Sequence, residues 1–94
     1  MIGSFYHKGL KELFEEGKTA KIDYALHERI IRRLDALDRA KKPGDLRIPG
    51  FDFHPLKGFN PTSYSVHVNG PLCITFEFDG ENATKVDLVN YHRG

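Results

Sequence analysis

Apolar side chains recur every three or four residues in the first half of the chain, the spacing of amphipathic helices. A first helix is predicted from about His7 to Glu16, with an apolar stripe formed by Leu10, Leu13 and Phe14. Gly17 follows this helix and suits a left-handed C-terminal cap. Gly9 weakens the first turn by up to ~1 kcal/mol relative to alanine, so we expect close packing to require it there.

A second helix is predicted from Asp23, a suitable N-cap, to about Ala40, before Pro43 and Gly44 stop it. Its apolar stripe consists of Leu26, Ile30, Ile31, Leu34 and Leu37. The segment of residues 18–22 between the two helices is short enough for them to form a helical hairpin. The apolar stripe of this hairpin must pack on another element.

The second half of the chain alternates apolar and polar residues, the period of half-buried strands. Three antiparallel strands are predicted, with inward sets of Tyr64, Val66 and Val68, of Leu72, Ile74, Phe76 and Phe78, and of Thr84, Val86 and Leu88. Asn69-Gly70 and Asp79-Gly80 are the turn signals between them. Residues 45–57 predict a loop or an irregular edge strand, and residues 1–6 a short strand.

These elements predict one α+β domain spanning residues 1–94, an N-terminal helical hairpin packed on a small antiparallel sheet. The helices should cover the apolar face of the sheet and leave the polar face open to a ligand. The composition, 39% hydrophobic and 29% charged, is that of a soluble globular protein. The N-terminus lacks an apolar signal core and Cys73 has no partner for an internal disulfide, so we expect a cytoplasmic protein without a membrane span.

The charges are unevenly placed although the net charge is only +1. Basic residues concentrate between positions 29 and 47, and this cluster could contact phosphate groups. It also fits a solvated helix face with ion pairs such as Arg32–Asp35, and the charges alone favour that simpler interpretation.

Two polar segments could carry chemistry together. The internal segment Phe53–Gly58 contains His54 and Lys57, and Pro55 keeps it out of a helix. The second segment is the C-terminal run Asn90-Tyr91-His92-Arg93. Histidines can act as base and acid when the 2′-hydroxyl of RNA attacks the phosphate, and cations offset the charge that develops. Each residue alone has an ordinary structural explanation, so the cluster matters only if the two segments meet.

Other chemistries lack support. No glycine-rich phosphate loop, CxxC pair or GxSxG turn is present. His54, His67 and His92 have no carboxylate or cysteine beside them at a recognised ligand spacing, so we expect neither a metal nor another cofactor. Cys73 is interpreted as a small side chain on a half-buried strand, not as a nucleophile.

The sequence resembles the HigB-type toxins of the RelE superfamily, which are also described as plasmid maintenance system killer or GraT-like toxins. The resemblance is nearly full length and collinear. It rests on the following segments: Ile2–Leu10, Leu13-Phe14, Arg33–Asp38, Asp45-Leu46, Ile48–Gly50, Phe53–Gly58, Tyr64–Val66, Val68–Gly70, Ile74–Phe76, Asp79-Gly80 and Val86–His92. Any one of these segments is weak alone, whereas the ordered set is specific.

The resemblance implies a RelE-like fold and ribosome-dependent cleavage of mRNA in the decoding A site. It implies neutralisation by a helix-turn-helix antitoxin of the HigA or GraA type, through which operator DNA is contacted only indirectly. The catalytic residues carried over from the family motifs are His54, Lys57, Tyr91 and His92. The residues expected to contact RNA or the ribosome are Arg29, Arg32, Arg33, Lys41, Lys42 and Arg93.

Two departures from the family pattern leave alternatives open. Asn90 stands where many members have an acidic residue, and Leu72-Cys73 where many have Trp-Arg. A weakly active or non-catalytic protein that mainly binds its antitoxin is therefore the alternative interpretation. Gyrase poisoning, known among RelE relatives, is a third, but the two histidine-containing motifs favour RNA.

Overall fold

The computed structural model describes residues 1–90 and contains two helices and four strands in that part of the chain. The helices are α1 (Lys8–Glu16) and α2 (His27–Arg39). The strands are β1 (His54–Leu56), β2 (Ser63–Asn69), β3 (Leu72–Asp79) and β4 (Asn82–Asn90). The predicted α+β class, with a helical hairpin followed by an antiparallel sheet, is confirmed.

Helix α1 begins and ends as the sequence predicts. The His7 ring caps it, because Nδ1 accepts a hydrogen bond from the Leu10 amide at 3.2 Å. Gly17 closes it with φ of +80°, and its amide donates to the Leu13 carbonyl at 2.9 Å. The prediction of a left-handed glycine cap is therefore confirmed.

The second helix starts later than predicted. Asp23 caps a short 3₁₀ turn, Tyr24–Leu26, by accepting from the Ala25 amide at 3.1 Å, and α2 begins only at His27. Its apolar stripe is buried, with Ile30, Leu34 and Leu37 fully inaccessible. The stripe predicts the face that packs inward, whereas the cap residue marks the turn before the helix.

The sheet has the order β1-β2-β3-β4, and every neighbouring pair is antiparallel. Strands β2, β3 and β4 are the three predicted strands, and β1 is the irregular edge strand. The N-terminal segment adds two isolated parallel bridges to β4, Ile2 to Ala83 and Phe5 to Val86, so it forms no regular strand.

One predicted face assignment is wrong. Between Thr75–Asp87 and Glu77–Thr84 the pairing advances two residues in β3 but three in β4, which places an extra residue near Lys85. Lys85 has φ of +53°, and this bulge reverses the alternation ahead of it. Ala83 is consequently buried and Thr84 lies on the other face.

The core lies between the hairpin and one face of the sheet. It joins Leu10 and Leu13 of α1 and the stripe of α2 to Val66, Ile74, Phe76 and Val86 of the strands. The opposite face of the sheet is not covered by either helix, as expected. Neither helix in residues 1–90 combines the length and apolar character that a membrane crossing requires.

Candidate active site

The open face of the sheet carries a row of polar residues across all four strands. The pairing register places His54 opposite Ser65, Ser65 opposite Thr75, and Thr75 opposite Asp87. Residues paired in this way project from the same face of an antiparallel sheet. An imidazole, two hydroxyl groups and a carboxylate therefore form one line on the surface that the helices leave open.

His54 is held by two hydrogen bonds. Its Nδ1 lies 2.9 Å from the Asp52 carbonyl oxygen, and its Nε2 lies 3.2 Å from Ser65 Oγ. A carbonyl oxygen can only accept, so Nδ1 carries the hydrogen and the neutral ring keeps a lone pair on Nε2. This is the form of histidine that can take a proton from a substrate at Nε2.

Ser65 and Asp52 were not identified from the sequence. Ser65 is 0% exposed, yet it lies on the polar side of the alternation, where its hydroxyl can donate to neutral His54 or accept from the charged ring. Asp52 adopts φ of +48°, an uncommon conformation for a residue other than glycine. Such conformations cluster at functional sites. No pattern in the sequence signals that conformation.

Lys57 follows β1 directly, at the start of the turn in which Gly58 has φ of +87°. It is exposed, and it forms no ion pair with another residue among positions 1–90. The structure thus places His54 and Lys57 at the same edge of the sheet, with the ammonium group available to a ligand.

The other predicted catalytic residues, Tyr91 and His92, lie outside the described residues, as does Arg93. The last described residue is Asn90, which ends β4 opposite Leu72. The meeting of the internal and terminal segments therefore stays a prediction.

The five described residues of the set predicted to contact RNA or the ribosome do not form one uniform surface. Arg33 is only 8% exposed, and its guanidinium donates to the carbonyl groups of His67, Arg29 and Gly50. Arg29 donates to the Val68 carbonyl at 3.1 Å. Both side chains line a cleft of about 490 Å³ between α2 and the segment before β1. Their guanidinium groups therefore connect α2 to the backbone of β2 and of the segment before β1.

The three other described cations of that set, Arg32, Lys41 and Lys42, face solvent. Arg32 pairs with Glu28 at 3.3 Å, not with Asp35 as one interpretation of the sequence predicted, and both side chains are largely exposed. Lys41 approaches Glu81 at 4.0 Å, and Lys42 is exposed. Such surface pairs are weak, so these side chains can exchange their partners for a phosphate group.

Cys73 lies on the open face, opposite His67. Burial, followed by the negative charge of Asp52, raises the pKa of its thiol. A thiol with a raised pKa stays protonated at neutral pH and is a poor nucleophile, in agreement with the interpretation of Cys73 as a structural side chain. Among residues 1–90, no three histidine, cysteine or acidic side chains are grouped so that they could hold a metal ion.

A helical hairpin on one face of an antiparallel sheet, with His54 on the open face and Lys57 just after the edge strand, agrees with the RelE-like class of fold. Residues 3–92 match the family model described as the RelE-like toxin of type II toxin–antitoxin system HigB. The chain belongs to this family of HigB-like toxins, and such a toxin has an antitoxin as its partner. The predicted family is therefore confirmed.

One named relative is similar over nearly the full length of the chain. The Endoribonuclease HigB of Proteus vulgaris is 40% identical over 92 residues, which cover 98% of this chain and 100% of the relative. No large insertion therefore separates the two proteins, and the internal and terminal motifs both fall within the matched length.

Proposed function

We propose that this toxin is an endoribonuclease that cleaves mRNA in the A site of the ribosome without a metal ion. The family match and the similarity to a protein named an endoribonuclease support the reaction class. The proposed partners are the ribosome, mRNA and a helix-turn-helix antitoxin of the HigA or GraA type. Operator DNA is contacted only through that antitoxin.

The orientation of His54 is the observation that carries the proposal. Its Nε2, left unprotonated by the bond from Nδ1 to the Asp52 carbonyl, takes the proton of the RNA 2′-hydroxyl. The 2′-oxygen then attacks the adjacent phosphorus, and the bond to the 5′-oxygen of the next nucleotide breaks. The products are a 2′,3′-cyclic phosphate and a free 5′-hydroxyl.

The other catalytic residues complete this reaction. His92 supplies the proton to the leaving 5′-oxygen, and Tyr91 positions the nucleotide. Lys57, exposed beside β1, offsets the negative charge that grows on the phosphate. This scheme needs proton transfer and cationic stabilisation only, both of which these side chains can supply.

The basic residues are proposed to contribute to RNA and ribosome binding in two ways. Arg32, Lys41, Lys42 and Arg93 contact phosphate groups directly. Arg29 and Arg33 add positive charge to the same region while their guanidinium groups hold the backbone. Binding of this kind weakens as salt increases, because it releases ions from the nucleic acid.

Cleavage of an mRNA on programmed ribosomes, by toxin that has been stripped of bound metal beforehand by dialysis against EDTA, tests the proposal. We expect cuts in the A-site codon with the wild-type toxin, and losses of about 10²–10⁴-fold with His54→Ala and His92→Ala, the usual range for removal of a general acid or base. His67→Ala is the matched control, because His67, on β2, projects from the same face of the sheet as His54, but its Nε2 bonds to the Gly70 carbonyl.

Three results would contradict the proposal. Cleavage that survives the His54, Lys57 and His92 variants would remove these residues from the chemistry. Loss of cleavage by the stripped toxin that is restored by adding a transition-metal ion would show that the reaction needs a metal. Absence of cleavage by a folded, antitoxin-binding wild-type protein would favour the non-catalytic alternative suggested by Asn90 and Cys73.

A further inference from the structure

A small cavity opens on the same face of the sheet as His54. Its volume is about 190 Å³, roughly six times the volume that one water molecule occupies in the liquid. Strands β2, β3 and β4 form its floor through Ser63, Thr75, Glu77, Lys85 and Asp87. It is too small for an extended ligand, but it suits one planar ring system.

Two exposed aromatic side chains flank this cavity. Phe59, in the loop between β1 and β2, is 57% exposed, and Tyr6, beside β4, is 67% exposed. The two rings come from segments on opposite sides of the floor. An aromatic residue normally buries more of its surface, so two such rings at one cavity indicate a surface that stacks on a ligand.

The polar groups of the floor favour a base over a phosphate. Glu77 and Asp87 repel an anion, and Lys85 is paired with Glu77 at 3.3 Å. Asp87 lines the cavity, and one of its oxygens accepts from the Leu88 amide at 2.9 Å, so its second oxygen can accept a hydrogen bond from a ligand. Acceptors of this kind match the exocyclic amino groups of nucleobases.

The cavity and the candidate catalytic histidine share one row of paired residues across the open face. Thr75, in the floor, pairs with Ser65, and Ser65 bonds to His54 Nε2 at 3.2 Å. We propose that the cavity binds one nucleobase of the RNA substrate by stacking against Phe59 and Tyr6, with preference for a base that carries an amino group. This inference rests on the proposed endoribonuclease function and adds the recognition of a base beside the cleaved bond.

The test measures binding without cleavage. The probes are 2′-O-methyl oligonucleotides of four adenines or four uracils, which lack the attacking hydroxyl, titrated into the isotope-labelled toxin and followed by NMR. We expect the adenine oligonucleotide to bind more tightly and to shift the amide signals of Thr75 and Asp87. Phe59→Ala and Tyr6→Ala should each weaken its binding about tenfold, the usual effect of removing a stacking ring.

Matched variants separate stacking from general damage. Tyr24→Ala removes a tyrosine that is even more exposed, at 84%, but lies in the turn before α2 and does not line the cavity, so it should leave binding unchanged. Phe59→Tyr keeps a stacking ring and should restore the affinity. Asp87→Asn supplies an amide that can donate, so it should reduce the preference for adenine over uracil.

The outcomes distinguish this inference from the proposed function. Unchanged binding in both alanine variants, equal binding of the two oligonucleotides, or no saturable binding by the wild type would overturn the base site. A wild-type toxin that binds adenine as expected but cleaves no mRNA on ribosomes would retain the base site and overturn the nuclease. If Phe59→Ala and Tyr6→Ala bind the probe normally and also cleave mRNA normally on ribosomes, the base site is overturned and the nuclease is retained.

Discussion

Two adjacent arginines of α2 should affect stability very differently. Arg33 is 8% exposed and bonds to three carbonyl groups, whereas the side chain of Arg32 is 72% exposed and pairs with Glu28 alone among residues 1–90. Methionine at either position keeps much of the apolar stem and removes the charged donor group. Arg33→Met should therefore destabilise the fold strongly, and Arg32→Met should not.

The magnitude follows from the contacts that Arg33 loses. A hydrogen bond to a charged group contributes about 1.5–3 kcal/mol, and the guanidinium also lies 4.6 Å from the centre of the Phe51 ring. Water entering from the adjoining cleft can replace part of these bonds in the variant, so the contributions do not simply add. We expect a loss of about 3 kcal/mol, a large fraction of the ~5–14 kcal/mol typical of a chain this long.

Urea denaturation measures this difference. With a slope of about 1–3 kcal/mol per molar urea, the midpoint of Arg33→Met should fall by about 1–3 M. The midpoint of Arg32→Met should move by no more than the few tenths of a kcal/mol that an exposed pair contributes. Equal midpoints for the two variants would refute the structural role of Arg33 and return it to the set of free RNA-binding cations.

Two further predictions concern α1 and the segment that follows it. Gly9→Ala should lower the free energy of unfolding although alanine favours helices by up to ~1 kcal/mol, because an added Cβ would lie 2.8 Å from His7 Cε1 and 3.0 Å from Lys21 Cβ; a raised melting temperature would contradict this. The pKa of Glu12 is lowered, mainly by its bond with Lys21, so the contribution to stability is present above its ordinary value of 4.5 and is lost as pH falls through the lowered value. Glu12→Gln should thus be less stable than wild type at pH 7 and approach it in acid, whereas a gap that persists at low pH would rule out the charge.

The elements with regular patterns could be predicted from the sequence, because burial on one face imposes their period. The stripes of α2 and β3 predicted their inward faces correctly. The bulge near Lys85 could not be predicted, since one extra residue reverses the alternation and leaves the composition of the strand unchanged. Thr84 was for that reason assigned to the wrong face.

The residues of the candidate site also differ in how far the sequence could predict them. His54 and Lys57 could be selected from their chemistry and their motif. Their supporting groups could not, because Ser65 is an ordinary polar residue in an alternating strand and Asp52 acts through its backbone carbonyl. Likewise, the sequence does not distinguish Arg33, whose donors bond to distant carbonyl groups, from the exposed Arg32 beside it.

The position of His54 depends on groups from the other side of the sheet. Its strand, β1, has only three residues and lies at the edge, so few backbone bonds hold it. Next to His54, Phe53 stacks on Tyr64 with ring centres 5.6 Å apart, on the face that the helices cover.

The segment that leads into β1 is tied down as well. Arg33 donates to the Gly50 carbonyl at 3.2 Å, and the His67 amide donates to the Phe51 carbonyl at 2.6 Å. A weakly paired edge strand can place a catalytic ring accurately only if such contacts fix it. Substitutions at Arg33 or Phe53 should therefore reduce cleavage although neither side chain reaches the open face, and the reduction should appear in the rate of the bound complex more than in RNA affinity.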